Sequence, residues 1–178
     1  MNPHRYIVVM GVAGCGKSSL GRQLADALQC RFVEGDNLHP ARNVALMTAG
    51  TALTDADRAD WLTSMAALLG QCAARGESVV VSCSALKRRY RDQLRTACPS
   101  LRLVHPHGPR ALLASRLAAR GDHYMPASLL DSQLATLELP EPDETAIDTD
   151  ISQAVAMQCA AALAALATTP GRAKVGNS

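Results

Sequence analysis

The sequence predicts an α/β domain of three layers, in which helices cover both faces of a parallel sheet. Short apolar runs rich in β-branched residues alternate at least four times with longer segments of helical periodicity. The third run, residues 78–82, has three consecutive valines at its centre and no alternation of polar and apolar positions. Such a run is typical of a central parallel strand with both faces buried, so it favours helices on both sides of the sheet.

The predicted strands are short apolar runs that end at turn-forming residues. The first run ends at Gly11, and the second is closed by Gly35. Runs of this kind predict strands at residues 6–10, 31–34, 78–82 and 101–104, and an abbreviated fifth strand at residues 146–147.

The predicted helices have apolar residues three and four positions apart. They lie at residues 18–29, 57–75, 88–97, 109–120, 128–138 and 152–167. Residues 37–56 and 121–126 show neither pattern. Because binding groups collect on the loops of such sheets, we interpret them as a substrate-binding segment and part of a lid. We expect one domain over residues 1–167, with the lid at about 116–128 and a disordered tail at 168–178.

Composition excludes several classes of protein. The net charge is +2, from 18 basic and 16 acidic residues, which is too balanced for a duplex-DNA binder. Aromatic residues make up 3%, so a stacking platform for single-stranded nucleic acid is not expected. The six cysteines form no CxxC pair, which indicates a reduced, cytoplasmic protein. No signal peptide is expected, and the uncharged C-terminal stretch is interpreted as a helix of a soluble protein rather than a membrane span.

Residues 11–18 match the phosphate-loop pattern GxxxxGK[ST] at every fixed position. Glycines allow the backbone to turn so that successive N–H groups face one anion, and the following helix adds its positive N-terminal end. Lys17 brings a charge to the β- and γ-phosphates, and the Ser18 hydroxyl is the predicted Mg²⁺ ligand. The predicted nucleotide-binding residues are Gly11, Gly14, Cys15, Gly16, Lys17, Ser18 and Ser19.

The loop predicts binding of a nucleoside triphosphate but does not by itself separate a kinase from a switch or a motor. The sequence contains no NKxD motif, and the 78–82 run ends in Ser82 rather than in an acid. The chain is also short for a further motor domain. A small-molecule kinase is therefore the favoured interpretation, and a regulatory nucleotide-binding module without transfer activity is the alternative.

The second substrate is expected to bind after the second strand. Asp36 is placed to accept the proton of an attacking hydroxyl, although it could instead cap a turn. His39 is a weaker candidate for contact with a polyol. Arg42 and Arg58 could each bind a carboxylate, with a charged helix face as the alternative for both. Trp61 is interpreted as a core residue rather than a ligand.

Further candidates follow the third and fourth strands. Lys87 and the serines near it could line a polyhydroxy substrate, whereas Arg88 and Arg89 are interpreted as a solvated helix start. Asp55 or Asp57 could cap the helix that follows. Arg120, at the edge of the predicted lid, is expected to neutralise charge on the transferred phosphoryl group; surface arginines are the alternative.

Several segments together resemble the bacterial gluconokinase family, which is similar in fold to shikimate and adenylate kinases. Besides the phosphate loop, the resemblance is carried by GDNLHPARN at 35–43, DADRADWL at 55–62, SCSALKRRYRDQLR at 82–95 and DHYMPASLLDSQLATLELPEPDE at 122–144. It covers most of the chain, from about residue 6 to residue 144. The GDxxHPxxN and CSALKxxYRD patterns are specific as a set, whereas the phosphate loop alone is not.

The resemblance implies a P-loop kinase fold with a five-stranded parallel sheet and a lid, and commonly a homodimer. It also implies transfer of phosphate from ATP, with Mg²⁺, to the terminal hydroxyl of D-gluconate, which feeds the pentose phosphate pathway. The family pattern places Asp36, His39, Arg42 and Asn43 around the sugar acid, Arg58 and Lys87 beside them, and Arg120 on the lid.

The sequence departs from the family pattern in four places. Leu46 stands where a lysine is usual, and Ala52 stands where a proline is usual. Residues 105–108 replace a more apolar strand end, and residues 146–150 are about two residues short. The short segment makes the fifth strand and the contacts to adenine the weakest parts of the resemblance.

Overall fold

A computed structural model describes residues 5–119 and 127–168. Its centre is a five-stranded sheet in the order β2-β3-β1-β4-β5, and every neighbouring pair of strands is parallel. The strands are β1 (Tyr6–Val9), β2 (Arg31–Glu34), β3 (Val79–Ser82), β4 (Arg102–His107) and β5 (Ile147–Asp150). The helices are α1 (Lys17–Ala27), α2 (Ala41–Thr48), α3 (Asp55–Arg75), α4 (Arg88–Ala97), α5 (Arg110–Ala118), α6 (Ala127–Thr136) and α7 (Val155–Thr168).

The sheet separates two hydrophobic cores, which confirms the predicted three layers. Tyr6 and Val8 pack with residues of α3 and α4 on one face. Ile7 and Val9 pack with residues of α1 and α7 on the other face. Because successive side chains of a strand point to opposite faces, a strand covered on both sides must be apolar throughout. The uninterrupted apolar runs in β1 and β3 have this cause.

The prediction that residues 37–56 are irregular is wrong. A short 3-10 helix covers Gly35–Leu38, and α2 follows directly after Pro40. Asn43 is the one buried residue of α2, so the helix shows no apolar stripe of the kind used to find helices. Exposure of nearly the whole helix explains why periodicity missed it.

Several element boundaries also differ from the predictions. Thr54, not Asp55 or Asp57, caps α3, and Asp57 completes a capping box by accepting from the Thr54 backbone N–H. β4 continues through the segment 105–107, because parallel pairing with β5 supplies its hydrogen-bond partners. β5 has four residues rather than two, so the short segment 146–150 still forms a full edge strand.

The sheet order determines which loops meet at the edge formed by the carboxyl ends of the strands. β3 lies between β1 and β2, so β2 is not a neighbour of the phosphate-loop strand. The carboxyl ends of all five parallel strands nevertheless share one edge, where ligands of such sheets bind. Most of the predicted lid and all but the first residue of the predicted tail lie outside the described residues. Among the described helices, none is both long and apolar enough to span a bilayer.

Candidate active site

The loop between β1 and α1 has the backbone geometry of an anion cradle. Gly11, Gly14 and Gly16 all have positive φ, at 129°, 81° and 91°. A side chain at Gly14 would also lie 2.9 Å from the Leu113 carbonyl oxygen. These positions therefore require glycine, and the positive-φ turns bring consecutive N–H groups to one side of the loop at the start of α1.

Two loop side chains behave differently from each other. The Lys17 ammonium donates to the Val12 carbonyl oxygen at 3.0 Å and lines the cleft described below. The Cys15 side chain is 1% exposed and packs in a core with Val12 and Leu86. The Cys15 thiol therefore faces the interior, which leaves the backbone N–H of Cys15 as its group for contact with a nucleotide.

Asp36 is held at the mouth of a cleft by the contacts of its neighbour Gly35. The Gly35 carbonyl accepts from Trp61 Nε1 at 2.8 Å, and its N–H donates to Ser82 Oγ at 3.1 Å. A Cβ at Gly35 would lie 2.0 Å from the Ser82 carbonyl oxygen, so no other residue fits between the ends of β2 and β3. The Asp36 side chain itself is exposed, and its carboxylate accepts no hydrogen bond from a described residue.

The cleft joins the phosphate loop to the segments after β2 and β3. The predicted site residues that line it are Lys17, Asp36, His39 and Arg58, together with Ser84 after β3. An ammonium, a carboxylate, an imidazole and a guanidinium thus surround one space. A cleft with these groups can bind an anionic polyol next to a nucleotide phosphate.

His39 is fixed on two sides. Its ring stacks on Trp61 with centroids 4.4 Å apart, and Nδ1 accepts a hydrogen bond from Asn43 Nδ2 at 3.2 Å. Burial lowers the pKa of His39, and the nearby Arg58 charge lowers it further against the opposing effect of Asp36. The ring is therefore neutral, with its proton on Nε2.

Trp61 is a core residue, as predicted, and it also supports the site. Its ring is 1% exposed, yet it carries both the stack with His39 and the hydrogen bond to Gly35. Asn43 likewise serves as a support, because it is buried and donates to the Asp57 carbonyl oxygen at 2.6 Å as well as to His39. The structure therefore places Asn43 behind the cleft wall rather than on it.

The three predicted cations differ in what they contact. Arg42 is 2.6 Å from Asp57 and largely exposed, and Lys87 is 3.0 Å from Asp55. Arg58 forms no ion pair within the described ranges, and of the three it alone lines the cleft. Arg58 is thus the cation best placed to bind a substrate carboxylate.

Asp55, the first residue of α3, is the centre of a polar cluster with residues at the start of α4. Hydrogen bonds from Arg89, Tyr90 and Lys87 hold the pKa of Asp55 well below its usual range. Arg89 is exposed, as predicted, and its guanidinium also pairs with Asp55 at the start of α3. These contacts join the start of α3 to the start of α4.

A buried ion pair supports the loop that carries Ser84. Arg91 donates to both carboxylate oxygens of Glu144, at 2.7 and 2.8 Å, and to the carbonyl oxygens of Ala85 and Leu86. Burial raises the pKa of Glu144, but hydrogen bonds from Arg91, the Glu141 N–H and Arg95 outweigh burial and lower it to about 2. The loop after β3 is thereby fixed from its inner side.

A second cleft lies on the other side of the phosphate loop. It is lined by Gly14, Cys15, Gly16, Ser19, Arg116, Ala119, Val155 and Gln158. Arg116 donates to the Ile151 carbonyl oxygen and lies beside Gly16. The predicted lid arginine, Arg120, lies outside the described residues.

Comparison with known proteins agrees with this geometry. A family model described as an AAA domain matches residues 7–140. A gluconokinase from Gluconobacter oxydans is 50% identical over 143 residues, which are 80% of this chain and 80% of that protein. The chain belongs to the gluconokinase family.

Solved structures support the gluconokinase assignment. A gluconokinase from Sinorhizobium meliloti has a TM-score of 0.86 and 46% identity, covering 94% of both chains. An unliganded sugar kinase from Janibacter has a TM-score of 0.88 and 45% identity, covering 94% of this chain and 97% of that one. The predicted P-loop kinase fold and the predicted kinase activity are confirmed.

Two of the four departures from the gluconokinase pattern, Leu46 and Ala52, lie between the start of α2 and the start of α3. Ala52 lines the same cleft as Lys17 and Asp36, and the carbonyl of Leu46 accepts from the Thr51 N–H at 2.9 Å. Sequence reasoning missed the contribution of α6 to the cleft. The α6 residues that line it are Leu129, Ser132, Gln133 and Thr136. Their spacing of three and four residues marks one helix face, a signal that indicates a shared surface but not which one.

Proposed function

We propose that this chain transfers the γ-phosphoryl group of ATP to the terminal hydroxyl of D-gluconate, giving 6-phospho-D-gluconate for the pentose phosphate pathway. The observation that carries the proposal is the single cleft in which Lys17 lies with Asp36, His39 and Arg58. Membership in the gluconokinase family supports the choice of sugar acid. The cationic side of the cleft suits a carboxylate, and the neutral imidazole suits hydroxyl groups.

The reaction uses Asp36 at the acceptor and Lys17 at the donor. The terminal hydroxyl oxygen forms a bond to the γ-phosphorus while the bond from that phosphorus to the β,γ-bridging oxygen breaks. The hydroxyl proton passes to the Asp36 carboxylate, which has no described partner to compete for it. The Lys17 ammonium exchanges the Val12 carbonyl for phosphate oxygens and stabilises their charge.

Arg58 binds the gluconate carboxylate in this proposal, and His39 donates from Nε2 to a hydroxyl oxygen. Asn43 holds His39 in the tautomer that makes this donation. The predicted contacts of Arg42 and Lys87 with gluconate stay predictions, because each would have to exchange an acidic partner, Asp57 or Asp55, for the substrate.

The oxygen donor at the start of α1, the Ser18 hydroxyl, fits a Mg²⁺ ion that binds together with the nucleotide phosphates. In the described ranges no group of three or more His, Cys, Asp or Glu residues could hold a metal ion by itself. Mg²⁺ commonly takes only one or two protein ligands and completes its shell with phosphate oxygens and water, so the Ser18 hydroxyl is sufficient. When bound, the ion neutralises charge on the phosphate oxygens.

Three further parts of the proposal rest on the resemblance and the composition. Arg120 is proposed to neutralise charge on the transferred phosphoryl group from the lid. The protein is proposed to be cytoplasmic, which agrees with six free cysteines. A homodimer is proposed because the resemblance implies one.

Coupled measurement of ADP release tests the function. With ATP and Mg²⁺, we expect turnover that depends on D-gluconate and is weak with shikimate, glycerate or adenylyl sulfate as the acceptor. Turnover only with a different acid would reject gluconate while keeping the kinase. ATP binding without turnover on any acceptor would instead indicate a regulatory module.

A further inference from the structure

Helix α6 forms a wall of the acceptor cleft that is anchored to the phosphate loop. Leu130 is fully buried in a core with Val12 and Cys15 of that loop. Gln133, one turn further along α6, lines the cleft together with Lys17 and Asp36. The position of Gln133 is therefore fixed relative to the loop that holds the transferred phosphate.

The side-chain amide of Gln133 has a defined orientation. The Ala13 backbone N–H donates to Gln133 Oε1 at 2.7 Å. A backbone N–H can only donate, so the carboxamide oxygen must face the loop and the NH₂ group must face away from it. In the part of the chain that the structure describes, no group accepts a hydrogen bond from Nε2. Two N–H donors are thus left at the cleft wall.

The position along the cleft indicates which part of a substrate these donors meet. Ala13 belongs to the phosphate loop, so Gln133 lies at the end of the cleft where phosphoryl transfer occurs. Arg58, the carboxylate-binding candidate, reaches the cleft from α3, a different element. A linear polyhydroxy acid with its carboxylate on Arg58 and its reacting hydroxyl at the loop brings its penultimate hydroxyl beside Gln133.

We propose that Gln133 is a substrate-binding residue that donates from Nε2 to the hydroxyl oxygen next to the one that is phosphorylated. Its Oε1 stays on the Ala13 N–H, so one side chain ties the acceptor's position to the phosphate loop. This inference rests on the proposed function, with D-gluconate as the acceptor. The relevant group is then the hydroxyl on C5.

The test combines Gln133→Met with 5-deoxygluconate. Methionine conserves the length and volume of the side chain but has no N–H donor. We expect each single change to lower kcat/KM about 10- to 100-fold, as expected for one lost hydrogen bond in a closed site. Both changes together should lower it no further than Gln133→Met alone, because the deoxy substrate lacks only a hydrogen bond that the variant has already lost.

Two controls distinguish the loss of a substrate contact from a general loss of activity. The substrate 2-deoxygluconate lacks a hydroxyl at the carboxylate end. The decrease in kcat/KM that it causes should therefore add fully to the decrease caused by Gln133→Met. Gln93→Met makes the same change on the exposed face of α4, outside both clefts, and should leave kcat/KM unchanged. Additive losses for 5-deoxygluconate would overturn the proposal.

A purely structural role for Gln133 makes a different prediction. Gln133→Glu keeps an oxygen for the Ala13 N–H but removes the donors. If Gln133 only pins α6 to the loop, this variant should have wild-type kcat/KM, and that result would overturn the proposal. We expect its activity to be as low as that of Gln133→Met, with ADP affinity and Tm unchanged. If wild-type protein shows no turnover with gluconate, the proposed function itself is wrong, and this result is obtained before any variant is compared.

Discussion

The two sides of the cleft are built in different ways. The phosphate side is a continuous stretch, residues 11–18, whose binding groups are backbone N–H groups placed by glycines at positive φ. The acceptor side is assembled from side chains of segments far apart in the chain: Asp36, His39, Arg58, Ser84 and Gln133. The first depends on local conformation, and the second depends on the packing that brings distant segments together.

This difference determines how each side responds to substitution. The acceptor side has a supporting layer in which Trp61 fixes both Gly35 and His39, and Asn43 fixes His39 again. A substitution there should change the parameters for gluconate and spare nucleotide binding. The phosphate side has no such separation, since Lys17 lies in the loop and also lines the cleft proposed for the acceptor.

The largest expected effect is that of Lys17→Ala. We expect kcat to fall about 10³-fold, because the ammonium is the loop's charged contact with the transferred phosphoryl group. The fold should persist, since Lys17 makes one described side-chain hydrogen bond, to the Val12 carbonyl. Steady-state kinetics and a melting curve measure both quantities. A well-folded variant with near-normal kcat would contradict the role of this loop in catalysis.

Arg58→Gln should have a smaller effect, and it should change only the kinetic parameters for the acceptor. Loss of a charged hydrogen-bonded pair with the carboxylate should lower kcat/KM for gluconate about 10- to 100-fold, while ADP affinity stays unchanged. Arg75→Gln is the matched control, because Arg75 lies at the exposed far end of the same helix, about 25 Å away. Equal losses in the two variants, or a loss of ADP affinity in Arg58→Gln alone, would contradict the assignment.

The smallest expected effect is a pH dependence of stability that involves His39. Burial lowers the pKa of His39 below its ordinary value of 6.5, so between these two values the unfolded chain binds a proton that the folded chain does not. Stability is therefore full above pH 6.5 and falls as the pH decreases toward the lowered value.

The variant His39→Gln isolates this contribution. We expect the fall in Tm between pH 7.5 and pH 5.5 to be smaller in the variant than in wild-type protein. His105 has a pKa lowered in the same direction by burial, but it is present in both proteins and cancels in the comparison. An identical fall in Tm in both proteins would show that the His39 ring is not held neutral by the site.

The same contrast explains how far the sequence could predict the structure. The parallel strands and the phosphate loop were predicted because their signals are local: apolar runs in β1 and β3, and fixed glycine spacing. Helix α2 was missed because only Asn43 is buried on it. The position of β3 between β1 and β2 depends on long-range pairing that no local pattern shows.

The same distinction between local signals and long-range packing applies to the site residues. Asp36, His39 and Arg58 were predicted from residue type and resemblance, and the structure brings them together in one cleft with Lys17. The carboxylate partners of Arg42 and Lys87 could not be predicted, because Asp57 is 15 residues from Arg42 and Asp55 is 32 from Lys87. The cleft-facing side of α6 was missed for a related reason. Helical spacing shows which residues share a face but not which part of the molecule that face contacts.

The central claim is that Asp36 performs chemistry at the acceptor, independently of nucleotide binding, and Asp36→Asn tests it most directly. The substitution keeps size and most hydrogen bonding but removes the negative charge and the basicity. We predict that kcat with gluconate falls about 10²-fold or more, while ADP affinity and Tm stay at wild-type values. Wild-type kcat with an unchanged Tm would contradict the account and leave Asp36 as a turn residue after Gly35.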